Sequence, residues 1–360
     1  MKNSIKVAKM ILFTALLGSY SCASDDSNPD SGIGNVFIWE KIGLDGLKVN
    51  SLRLRGNLLY AATEIGLFRK NIDTEEPFIP IGLQGLNIED FLLLDDEKLL
   101  ASVADFQDET IIQIVSTNNG GQNWEVMETN FGGGSIDPHI VWKFLKPSES
   151  TDVIFATSNY VVAESLDGGF NWTLIWGEWD VFARATSMVG INPSKPNEIW
   201  LGGQGAIEDG YLVKLENRTE TNRWLDLVPN PTTPKKIVFD NLTPQNIYVG
   251  FEGALIRTSS NGQSWETLID EHESARFFNG IGINEQNNNR VYAAGWLKTD
   301  EPQPLILYYS NDKGATWLQD HFKEESFGGV EDMVLISEGN QDRIFLGLNK
   351  GGVYEVKSNQ

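Results

Sequence analysis

Cysteine is almost absent from this 360-residue chain: Cys22 stands alone, so no disulfide can form within one molecule. Basic side chains are also scarce, with 28 Lys+Arg against 50 Asp+Glu and a formal charge of −22. A surface so acidic repels phosphate backbones and anionic lipid, which excludes nucleic acid as a partner. The three histidines, His139, His272 and His321, show no close spacing of the kind that metal ligands adopt, so neither a metal nor any other cofactor is expected. Long apolar runs and sustained helical periodicity are missing too, which argues against a membrane span and against a helical fold. What the chain has in quantity is Gly (35), Phe (18) and Trp (11), an all-β composition.

The N-terminus reads apart from the rest. Lys2, Lys6 and Lys9 precede a short apolar run over 11–17 and then small residues up to Cys22, the layout of a secretory leader spanning 1–21. A lone Cys directly after such a run resembles the acylated residue of a bacterial lipoprotein, although Ser19 and Tyr20 depart from the usual lipobox. Ordinary cleavage after Ala23 is the alternative. Residues 22–34 are polar and acidic, a flexible tether by composition, and resemble the export signal of surface lipoproteins in the Bacteroides and Flavobacterium group. The resemblance implies a lipid anchor on Cys22 and a place on the outer membrane, with no other membrane contact. Without the leader, 25 basic residues face 50 acidic ones.

Two octapeptides organise the remainder: 165–172 (SLDGGFNW) and 310–317 (SNDKGATW), with blurred copies at 117–124 (TNNGGQNW) and 258–265 (TSSNGQSW). Glycine permits positive φ in a tight turn, an Asp or Asn oxygen can accept the turn's own N–H groups, and Trp opens the next strand. Each phrase is therefore a hairpin with a polar lock. Around them, seven short apolar runs end near small residues, marked by Tyr60, Leu100, Phe155, Trp200, Tyr248, Tyr292 and Phe345, and recur about every 48 residues. Each has an apolar run before it and another after it, so four strands, A to D, recur seven times. The last unit lacks strand D, and the stretch around Trp39 reads like one. It is expected to close the ring by pairing near Tyr354, which removes open sheet edges.

The octapeptide resembles the Asp box, the bacterial neuraminidase repeat. The resemblance implies a seven-bladed β-propeller over 35–357, with each box between strands C and D. It also implies that ligands bind on the opposite face, among the B–C and D–A loops. On that face the expected ligand-binding residues are Trp176, Glu178, Trp179, Asp180, Arg184 and Trp296, aromatic faces beside hydrogen-bonding groups suited to sugar rings. Asp90, Asp137, Asp180, Asp209, Glu331 and Asp332 supply carboxylates there, and Asp180 and Asp332 are the candidates should the protein hydrolyse glycosides. A sialidase is not expected, because only Arg184 and Arg276 map to this face and the Arg-Ile-Pro motif is missing. The expected function is capture of a glycan by a surface lipoprotein. The alternatives are a glycoside hydrolase, as in propeller xyloglucanases, and a protein-binding assembly factor, as in photosystem assembly propellers.

Overall fold

In a computed structural model of the chain, residues 36–104, 111–135, 139–148, 151–206, 209–230, 232–322, 327–339 and 341–358 are described. The leader, the tether with Cys22, and Asp137 lie outside them. The described chain is all-β and forms seven four-stranded antiparallel sheets. Six are built from consecutive strands. The seventh takes its outer strand, Phe37–Gly43, from the other end of the chain and pairs it with Gly352–Ser358. Trp39 lies opposite Val356 and Lys41 opposite Tyr354, as the sequence predicts. Phe37, fully buried, meets the rings of Tyr292 and Tyr309 and so ties the closing strand to blade six as well.

Each of the seven apolar runs is a strand B, and their β-branched and aromatic residues are buried on both faces. One face meets the blade before, the other the blade after. Trp200, Tyr248, Tyr308 and Phe345 are among the largest fully buried side chains, and each sits in such an interface. Glycines allow the innermost strands to approach closely. A Cβ on Gly280 would meet Met333 Cβ at 2.9 Å and one on Gly190 would meet Ile237 Cγ2 at 2.7 Å.

The four hairpins share one hydrogen-bond pattern. In the clearest copies, Ser165 and Ser310 Oγ accept the N–H of Gly169 (2.8 Å) and Gly314 (2.7 Å). Asp167 and Asp312 Oδ1 accept the N–H of Asn171 (2.9 Å) and Thr316 (2.8 Å). In the blurred copies Asn119 Oδ1 and Ser260 Oγ take over the second acceptor role, each at 3.0 Å. The glycine is left-handed in all four, with φ of 101°, 88°, 88° and 89° at Gly169, Gly314, Gly121 and Gly262. Blade four reaches the same end differently, through a two-residue turn in which Asn217 and Arg218 both have positive φ, the hairpin geometry that matches strand twist.

Candidate functional site

The innermost strands of the seven blades surround a channel of about 800 Å³. Their register defines its layers. Ser51, Asp90, Lys143, Met188, Lys236, Gly280 and Asp332 of blades one to seven lie opposite Ala62, Ser102, Thr157, Gly202, Gly250, Ala294 and Gly347, small residues near the end of each strand B. Immediately before this layer, five of the seven ladders slip, and the slips place Asn50, Glu89, Lys235, Asn279 and Glu331 at the channel mouth. A bulge of this kind turns a side chain out of the alternating pattern, a common device at the rim of a site.

Two of these layer residues stitch neighbouring blades. Asp90 Oδ2 accepts the N–H of Phe144 (2.7 Å), and Asp332 Oδ2 accepts the N–H of Leu52 (2.9 Å), the same bond at the junctions from blade two to three and from seven to one. Arg53 closes the first site with two bonds to Asp90, at 2.9 and 3.1 Å. Lys236 closes the second with Nζ 2.8 Å from Asp332 Oδ1, reaching past Gly280. Burial alone would raise the Asp332 carboxyl, but Lys236, Lys143 and the Leu52 N–H outweigh it and hold it below the usual range. Asp332 thus ties blade seven to blades one and five at the channel wall.

The other expected site residues part into two groups. Trp296 lines the mouth, edge-on to Phe277 at 5.8 Å, and Trp142, three blades away in the ring, lines it too with its Nε1 on Asn159. Trp176 does not reach it. The ring is buried between blades three and four among Tyr160, Tyr211 and Arg223, and its Nε1 donates to Glu220 at 2.9 Å. Trp179 is half-buried and does not line the channel; it is packed edge-on by Phe131 (5.0 Å) and His139 (5.1 Å), with no room for a Cβ on Gly133 beneath it. Asp180 accepts from Ser135 Oγ (2.8 Å) and lies 3.0 Å from His139 Nε2, so it clamps two neighbouring loops instead of facing the channel. Glu178 and Arg184 are exposed, but neither lines the channel.

The sequence reading missed the lysines. The channel wall carries Lys48, Arg53, Arg55, Lys143, Lys146, Lys235, Lys236 and Lys298 against four carboxylates, Glu89, Asp90, Glu331 and Asp332. In a protein of net charge −22 this is a local inversion of sign. One signal was available: Lys48, Lys143 and the Lys235–Lys236 pair all stand at the start of a strand A. Glu331, beside Asp332, is shifted in the opposite direction. Its Oε1 is buried with no hydrogen bond, Lys48 Nζ is 3.9 Å away, and burial raises its pKa against the pull of Lys48 and Lys143.

No family model matches the chain. A probable oligoxyloglucan-reducing end-specific xyloglucanase of Neosartorya fischeri is 25% identical over 229 residues, 59% of this chain and 22% of that enzyme. The crystal structure of the GH74 xyloglucanase from Xanthomonas campestris superposes with a TM-score of 0.62 at 14% identity, over 89% of this chain and 53% of the enzyme. YCF48 bound to a D1 peptide superposes with a TM-score of 0.63 at 14% identity, over 91% of this chain and 96% of YCF48. This chain thus spans about a fifth of the first enzyme and about half of the second, but nearly all of YCF48. These likenesses establish the seven-bladed propeller.

Proposed function

We propose that this is a glycan-binding propeller, held on the outer membrane by an acylated Cys22 and a short acidic tether, and built on Asp-box hairpins. The observation that carries the reading is the channel mouth, where Trp142, Trp296 and Phe277 stand among Lys, Asn and Glu side chains. Aromatic faces for sugar rings beside convergent hydrogen-bonding groups are what a saccharide site requires. The two xyloglucanases among the similar proteins support a carbohydrate ligand. Capture suits the mouth better than hydrolysis. A glycosidase needs two available carboxylates flanking the bond; Asp90 and Asp332 are both committed to backbone N–H groups, which leaves Glu89, bonded to Asn87, and Glu331 as the one pair among the described wall residues that could serve.

The test is a glycan array probed with the full chain, followed by a reducing-end assay on every glycan that binds. Binding without release supports capture. Release of reducing ends would make the protein a hydrolase. The assembly-factor reading keeps one specific support, the match over nearly the whole of a peptide-bound propeller. A chain that is silent on the array but co-purifies with one envelope protein in stoichiometric amount would favour it.

A further inference from the structure

The mouth of the channel holds more positive charge than its own carboxylates neutralise. Lys236 is matched by Asp332 at 2.8 Å, Lys235 by Glu252 at 2.7 Å and Lys48 by Glu331 at 3.9 Å. Among the described residues Lys143 and Lys298 have no carboxylate within ion-pair distance. The remaining acid at the mouth, Glu89, accepts from Asn87 Nδ2 at 3.2 Å. Lys235 and Lys298 moreover lie over one ring, 4.4 and 5.3 Å from the centroid of Phe277. Two ammonium groups drawn to one ring repel each other, and burial of Lys235, together with Lys298, lowers the readiness of Lys235 to stay charged despite Glu252. The free protein bears that repulsion beside Trp296, which meets Phe277 edge-on. An anion seated beside Lys235 and Lys298 would relieve it.

From this arrangement we propose that the site takes an acidic oligosaccharide, its uronate carboxylates held by Lys143 and Lys298 and its sugar rings by Trp142 and Trp296. The proposal rests on the glycan-binding reading and names the ligand's chemical class. It also gives a reason for a basic bore in an acidic shell. The surrounding negative surface turns polyanions away everywhere but at the channel, so an acidic chain is directed to one place.

The experiment is calorimetric titration of the full chain, in mild detergent, with oligogalacturonate, with alginate oligosaccharide, with a neutral xyloglucan oligosaccharide and with polyglutamate of matched length. One or both uronates are expected to bind in preference to the neutral sugar and to polyglutamate, with affinity falling about tenfold as salt rises through the range where screening shortens from about 10 Å to a few Å. Lys143→Gln and Lys298→Gln should each weaken that binding about fivefold; Lys298→Gln should do so with the thermal melt unchanged, since it has no ion pair to lose, whereas Lys143→Gln also withdraws charge that favours the buried Asp332 carboxylate and should lower the melt slightly. Preferential, salt-independent binding of the neutral sugar overturns the acidic class and leaves glycan capture standing. Polyglutamate binding as tightly as the uronates overturns the saccharide part. Silence toward all four probes overturns both readings.

Discussion

Glu331 shows how one carboxyl can be costly where its neighbour is not. In Asp332, the next residue, a bonded Lys236, the Leu52 N–H and the more distant charge of Lys143 outweigh burial and lower the pKa. Glu331 has an oxygen with no donor and only a distant Lys48. Burial raises the pKa of Glu331 above its value in the unfolded chain, so its protonated form fits the fold. The stability it contributes is complete below the unfolded pKa and is lost as pH rises through the folded one. Glu331→Gln keeps the shape and removes the charge. It should therefore stabilise the protein at pH 8 by about 1 kcal/mol, the order of one unsatisfied buried group, and leave stability unchanged near pH 4. Chemical denaturation at the two pH values reads this directly, and a destabilised variant at pH 8 would mean that Lys48 makes the charge favourable after all.

At the scale of the element, the hairpins separate what the octapeptide guarantees from what it leaves open. The Ser or Thr and the third-position acceptor make the same bonds in all four copies, whether the acceptor is Asp, Asn or Ser. The indole does not. Trp172 and Trp317 donate to the glycine carbonyl of their own turn, at 2.8 and 2.9 Å. Trp124 donates instead to Ile81 O in the preceding blade, at 3.0 Å, and Trp265 Nε1 is buried with no acceptor. Trp317 and Trp265 are both half-buried, so replacing either by Phe removes similar volume. Trp317→Phe also orphans a carbonyl, whereas Trp265→Phe removes an orphaned N–H. The first should cost about 1 kcal/mol more than the second, measured as the difference in urea midpoints at equal m-value. Equal losses would show that packing alone sets the strength of these turns.

For the whole molecule the decisive contact joins residues more than three hundred positions apart. The strand Phe37–Gly43 covers the edge of Gly352–Ser358 and carries Phe37 into the interface with blade six. A chain beginning after Gly43 exposes that edge and loses the Phe37 ring, at a cost of about 3 kcal/mol or more. It should melt earlier and run as strand-paired oligomers on size exclusion, while a chain lacking only residues 1–34 should remain a cooperative monomer. An unaffected melt in the shorter chain would mean that the seventh blade is stable with three strands.

The sequence by itself determined the repeat: seven B strands, the hairpins at their stations, and a closing strand around Trp39 that meets Val356. It could do so because local φ preference, alternation and turn chemistry act within a few residues, and seven copies reinforce one reading. The placement of Trp296 near the mouth was legible for the same reason, since it ends a B strand. Tertiary structure alone decided what lies inside the bore. Five register slips select which side chains the mouth displays, and packing between blades takes Trp176 out of reach and commits Asp332 to a backbone N–H of another blade. Those outcomes depend on neighbours drawn from different blades, and no spacing along one strand records which blade a side chain will face across a ring.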